Sequence, residues 1–159
     1  MSGLINNVTV QNNTVQDFDC RNQGPEFRAG VGSWYAGSGH RILNNTITRR
    51  VELSGGLAGG QSNGIWFKST TASPSGGGHL ISGNVIKGVY DGIGGETEDD
   101  PRCGFDRNTT IENNTIDTCY DDGISVEGGT QTSGLGFTDR SSLTTASGHH
   151  GMSTCAETE

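Results

Sequence analysis

Four hexapeptides in this chain follow one template: VQNNTV (10–15), ILNNTI (42–47), ISGNVI (81–86) and IENNTI (111–116). Each runs from a β-branched residue through two residues, polar or small except for Leu43, to an asparagine, then to Thr or Val, then to a second β-branched residue. The template asparagines are Asn13, Asn45, Asn84 and Asn114, separated by 32, 39 and 30 positions. A second template follows the first in each period: NGIWFK (63–68), DGIGGE (91–96) and DGISVE (122–127), with a weaker AGVGSW (29–34) in the opening one. Two short motifs that recur in a fixed order constrain the fold strongly. No single period can bury its own apolar face, so the periods must stack.

The units read as strands. Across 110–129, Ile111, Ile116, Ile124 and Val126 do not recur at helical spacing, and Gly123, Gly128 and Gly129 would break a helix. As two or three short strands per period, separated by turns, the pattern is coherent. Equivalent residues of successive periods then lie about 4.8 Å apart. The template asparagines are expected to tolerate a left-handed backbone and to hydrogen-bond their neighbours along the stack. Asp91 and Asp122 precede glycines and are expected to shape turns through Asx hydrogen bonds. The N-x-T sequences at Asn7, Asn12, Asn44, Asn108 and Asn113 are explained by the repeat, whose threonines begin strands, rather than by glycosylation.

The NNTI and DGI units resemble the right-handed parallel β-helix repeats of the pectate-lyase-like superfamily over about residues 4–129. The resemblance implies an all-β solenoid, a right-handed parallel β-helix with long loop insertions. Residues 1–129 are the repeats and 130–159 an irregular cap or disordered tail, where alternation disappears and the paired His149 and His150 read as solvated. Such enzymes usually have more than about four turns. The chain is therefore expected to be a fragment, or to complete its core with another copy through uncapped ends. The resemblance also implies an extracellular or cell-surface setting, although MSGLINNVTV lacks the charged and apolar regions of a signal peptide.

Composition narrows the partners. A net charge of −8 leaves no basic cluster for phosphates, which argues against nucleic acid. No run of eighteen apolar residues is present to span a membrane. With 30% hydrophobic residues and 27 glycines the chain could be disordered, but the regular placement of its β-branched residues favours order. Cys20, Cys103, Cys119 and Cys155 form no C-x-x-C pair, which argues against zinc, and Cys103 with Cys119 is either a disulfide or two free thiols.

Strand alternation yields a candidate site. Ile65, Phe67, Ile124 and Val126 are expected inward. Gly64, Trp66 and Lys68, Gly92, Gly94 and Glu96, and Gly123, Ser125 and Glu127 are expected outward. Stacking makes two outer files, Trp66–Gly94–Ser125 and Lys68–Glu96–Glu127, with Trp34 extending the second. Trp66 and Trp34 offer a flat platform for a sugar ring, with Asp91 and Asp122 as further substrate-binding candidates. Superfamily relatives commonly bind or cleave polysaccharides along such a face, so the resemblance implies a polysaccharide partner.

For a hydrolase, Glu96 and Glu127 on neighbouring turns suit a retaining pair about 5–5.5 Å apart. For a lyase, Lys68 is the candidate base, with Ca²⁺ held by Glu96, Glu127 and Asp122 as the candidate cofactor, although two nearby glutamates would raise the lysine pKa. Asp121-Asp122 is faintly similar to the polygalacturonase pair, whose other sequence elements are missing. Each residue also has a plainer reading: Trp66 packs beneath an inserted loop within 68–78, and the charges form a surface ladder. The competing function is a non-catalytic structural or adhesive solenoid, such as a surface-protein or phage-fibre segment.

Overall fold

A computed structural model describes residues 5–18, 29–34, 37–49, 63–69, 77–97, 105, 108–119 and 123–126. These residues form strands β1 (Thr9–Gln11), β2 (Thr14–Gln16), β3 (Ala29–Trp34), β4 (Arg41–Leu43), β5 (Thr46–Thr48), β6 (Asn63–Ser69), β7 (Leu80–Ser82), β8 (Val85–Lys87), β9 (Ile93–Thr97), β10 (Thr110–Glu112), β11 (Thr115–Asp117) and β12 (Ile124–Val126). Among the described residues there is no helix, and so none long and apolar enough to cross a membrane. The strands are dealt in rotation to three parallel sheets, ordered β1-β4-β7-β10, β2-β5-β8-β11 and β3-β6-β9-β12. Parallel neighbours require a crossover. Here each crossover consists of the strands given to the other two sheets, so one circuit of three strands brings the chain back beside its own start. The arrangement is compatible with a parallel β-helix.

Register follows the repeat. Val10, Ile42, Ile81 and Ile111 are successive Cα partners in the first sheet. Val15, Ile47, Ile86 and Ile116 are partners in the second, and Val31, Ile65, Ile93 and Ile124 in the third. Ile42, Ile47, Ile65, Ile81, Ile86 and Ile93, all from the two middle circuits, join Phe67, Val89 and Phe105 in one buried cluster. Val15, Val31, Ile111, Ile116 and Ile124, from the outer circuits, are only partly buried against it. Each fully buried isoleucine contributes about 1.5–3 kcal/mol. Stability is therefore concentrated in the middle of the stack.

The template asparagines form a continuous ladder. The Asn13, Asn45 and Asn84 backbone N–H groups donate to Oδ1 of Asn45, Asn84 and Asn114 at 3.0, 2.9 and 2.9 Å. Their Nδ2 groups donate to the same oxygens. The remaining amide hydrogens reach strand carbonyls, Asn45 to Val10, Asn84 to Ile42 and Asn114 to Ile81. From Asn45 to Asn114 the ladder thus satisfies backbone groups at a buried corner.

The left-handed backbone belongs to a different residue from the one expected. Positive φ falls on the residue before each template asparagine: Asn12 (57°), Asn44 (52°), Gly83 (69°) and Asn113 (55°). Asn7, Gly39, Gly78 and Asn108 make a second left-handed corner just ahead of the first sheet. Every N-x-T asparagine is therefore a corner residue with positive φ, where Asn is tolerated because its short side chain carries little steric penalty.

Alternation also misplaces two glycines. A Cβ added to Gly64 would point inward, 2.6 Å from Ile86 Cγ2 and into contact with the Gly92 carbonyl oxygen, and one on Gly92 would meet Ile116 Cγ2 at 2.7 Å. The chain bends on entering the third sheet, and the parity of the strand does not carry back through the bend. Glycine is needed there because the backbone passes directly against the isoleucine file of the second sheet. Cys20, Cys103, Cys155, His149, His150 and the tail from 130 lie outside the described residues, while Cys119 packs half-buried against the core.

Candidate functional site

The third sheet differs from the other two. Its strands β3, β6 and β9 have 6, 7 and 5 residues, against 3 for the strands of the first and second sheets. Between the first and second sheets the chain turns through residue pairs such as 44–45, whereas the long connections, 17–28, 49–62, 70–79 and 98–109, all begin or end at a third-sheet strand. Loops held on a rigid scaffold are where binding residues concentrate. The outer side of this sheet is therefore the candidate site.

Its register brings the expected files together. Trp34 pairs with Lys68, and Lys68 with Glu96, while Trp66 lies between Gly32 and Gly94, and Gly94 pairs with Ser125. Trp34 does extend the lysine file. Its six-membered ring folds back over Gly32, into the space that a side chain at that position would take. Glu127, Asp122 and Asp121 lie outside the described residues, as does the Glu96 side chain.

Exposure differs from the sequence expectation. Trp66 is 7%, Trp34 6% and Lys68 8% exposed, so the residues expected to stand open to solvent are covered. Ile65 and Phe67 enter the core cluster and the two tryptophans do not. Alternation thus assigned the side of the sheet correctly and failed on exposure. It tells which way a side chain leaves a strand, and says nothing of what is laid over it. Asp91 is also buried, and its N–H donates to Asn63 Oδ1 at 3.3 Å, while Gly64 N–H donates to the Asp91 carbonyl at 2.8 Å. Both bonds use the Asp91 backbone and tie its circuit to the one before, and neither is the side-chain Asx bond expected from the sequence.

The sequence reading missed a second ladder. Five residues before each template asparagine stand Val8, His40, His79 and Thr109. Val8 N–H donates to His40 Nδ1 (3.2 Å), His40 N–H to His79 Nδ1 (3.1 Å) and His79 N–H to Thr109 Oγ1 (3.1 Å). The imidazoles stack with centroids 5.0 Å apart and planes within 7°, Phe67 packs 4.6 Å from His79, and Phe105 stacks on Phe67 at 5.0 Å. Burial holds the His79 pKa down to about 3, with the neighbouring His40 adding to the effect, and burial is also the main cause of the lowered His40 pKa. Both rings are neutral at physiological pH. The signal was present in the sequence as a histidine before the strand in GHRIL and GHLIS.

Among the described residues, no three His, Cys, Asp or Glu side chains converge as metal ligands. On the second sheet's outer side, Lys87 Nζ meets Asp117 Oδ2 at 2.8 Å, and that bond is the largest cause of the lowered Asp117 pKa. No protein-family model, no curated protein and no solved structure matches this chain.

Proposed function

We propose that the three-sheet stack is a right-handed parallel β-helix of the pectate-lyase-like kind and that it is carbohydrate-directed, binding or cleaving a polysaccharide along the outer side of the third sheet. The observation that carries the reading is the meeting, on that one sheet, of the longest strands, both tryptophans and Lys68, with every long connection beginning or ending at one of its strands. Indole faces suit sugar rings, and in register Trp66 lies beside Gly94, which carries no side chain, and beside Gly32, over which the Trp34 ring is folded, so that the two indoles are neighbours. If the protein is catalytic, Glu96 with Glu127 supplies the carboxylate pair of a glycoside hydrolase. The lyase alternative uses Lys68 as base, with Ca²⁺ held by Glu96, Glu127 and Asp122.

Burial of Trp34, Trp66 and Lys68 favours a second reading, a non-catalytic structural or adhesive solenoid in which these residues cement overlying segments to the sheet. The two readings separate in one experiment. A panel of neutral and acidic polysaccharides is incubated with the full chain and with its Trp66→Ala, Glu96→Ala and Glu127→Ala variants, following reducing ends, unsaturated-uronate absorbance and binding. A carbohydrate-directed protein binds at least one glycan, and Trp66→Ala weakens that binding by about tenfold or more, equivalent to about 1.4 kcal/mol. Absence of binding and turnover across the panel assigns the chain to the structural class. Turnover that survives both glutamate variants rejects the carboxylate pair.

A further inference from the structure

The interior where the first circuit passes into the second contains two buried polar groups with no partner among the described residues. His40 is 0% and Ser33 2% exposed, and neither His40 Nε2 nor Ser33 Oγ has a hydrogen-bond partner among the described residues. The His40 tautomer is fixed by its other nitrogen. Nδ1 accepts the Val8 N–H, so the neutral ring carries its proton on Nε2, a donor aimed into the interior. Buried donors of this kind are rarely left unsatisfied.

The repeat shows how the space around them arises. Ser33 is the Cα partner of Phe67, and the His40 ring stacks beneath that of His79. The shift of one circuit that carries His79 onto His40 therefore carries Phe67 onto Ser33. In the upper layer the Phe67 ring packs 4.6 Å from His79. In the lower layer a hydroxymethyl group stands in place of the phenyl ring. The layer of His40 thus lacks the ring that packs against His79 one circuit on, and it carries a hydroxyl and an N–H instead. An apolar hole stays dry, whereas a space bordered by two hydrogen-bonding groups meets the requirements for ordered water.

We propose that the space between Ser33 and His40 is an internal binding site for water. Its occupant accepts the His40 Nε2–H and exchanges a hydrogen bond with Ser33 Oγ, which can donate or accept. The same site would take another neutral molecule of water's size and polarity, and it excludes cations because its one fixed partner is a donor.

A high-resolution crystal structure of the full chain tests the site directly. Ordered density within hydrogen-bond distance of both His40 Nε2 and Ser33 Oγ is the expected result. A direct bond between the two groups, or a segment of the chain filling the space, overturns the proposal. In solution, the His40 Nε2–H is expected to give a nuclear Overhauser cross-peak to a long-lived water. Ser33→Val removes the hydroxyl and fills part of the space with methyl groups, and in a variant with an otherwise native spectrum that cross-peak should disappear. Its persistence at wild-type intensity would show that Ser33 does not border the site.

Discussion

Lowering the pH from 7.5 to 5.0 is expected to destabilise this fold by about 2 kcal/mol through His79 alone. The unfolded chain binds a proton at this side chain below about 6.5, while the folded chain, with the pKa held down to about 3, does not. The contribution is complete above 6.5 and is lost progressively as the pH falls from 6.5 towards 3. Each unit within that window costs about 1.4 kcal/mol, so the 1.5 units down to pH 5.0 give about 2 kcal/mol. The groups packed on His79 include His40, Phe67 and the Thr109 hydroxyl, and His40 is lowered in the same direction, which adds to the loss. Asp117 acts in another window. Its depressed carboxyl contributes stability above its ordinary value of 3.8 and loses it only at lower pH. Urea unfolding followed by tryptophan fluorescence reads the effect, since Trp34 and Trp66 are both buried. The comparison is His79→Asn, whose amide oxygen can still accept the His40 N–H and which does not titrate. The variant should show a pH 7.5-to-5.0 difference about 2 kcal/mol smaller than wild type. A wild-type loss below about 0.5 kcal/mol, or an equal loss in the variant, refutes the argument.

The other predictions concern the two steric and polar devices of the stack. Asn84→Ala removes the partner of the Asn45 N–H and of one Asn45 amide hydrogen, and takes a donor from the Ile42 carbonyl, at a buried corner, while Asn114 Oδ1 keeps the backbone N–H of residue 84. It should cost about 3–5 kcal/mol in urea unfolding, against about 1 kcal/mol for Asn13→Ala at the exposed end of the ladder. Gly64→Ala drives a methyl against the Gly92 carbonyl and Ile86 and should cost about 2–3 kcal/mol. Gly123→Ala, at the equivalent position of the last circuit, meets no atom of the described residues within 4 Å and should stay within about 0.5 kcal/mol of wild type. Equal effects at the two glycines would show that backbone freedom, and not close approach, selects the residue.

The architecture was legible because each circuit repeats the same physical problem. The β-branched files predicted register in all three sheets, and the asparagine template predicted a ladder that is present at every step. What sequence reading assigned wrongly was the division of labour within the asparagine pair, since Asn12-Asn13, Asn44-Asn45 and Asn113-Asn114 look symmetric. The third circuit breaks the symmetry. There the pair is Gly83-Asn84, with glycine where φ is positive and asparagine where an amide is required. The site was less legible, because alternation fixes the side from which Trp66 and Lys68 leave the strand but not their exposure, and both are buried.

That difference separates two kinds of position in the chain. In the first and second sheets the inward file is always Val or Ile, and two-residue turns joining them leave little room for variation. In the third sheet the inward file beside the histidines reads Ser33, Phe67 and Gly95, three very different volumes at successive levels. The long connection after β9 compensates for the last of these. It supplies Phe105, whose ring occupies the space that a side chain on Gly95 would fill and stacks on Phe67. A segment inserted between repeats is thus part of the core, and it leaves from a strand of the candidate site's sheet. Shortening 98–109 would remove a core aromatic along with a loop, so deletion of that connection is expected to lower stability and any third-sheet binding together. Replacing Phe105 by leucine, which keeps most of the apolar contact, should separate the two effects by sparing binding.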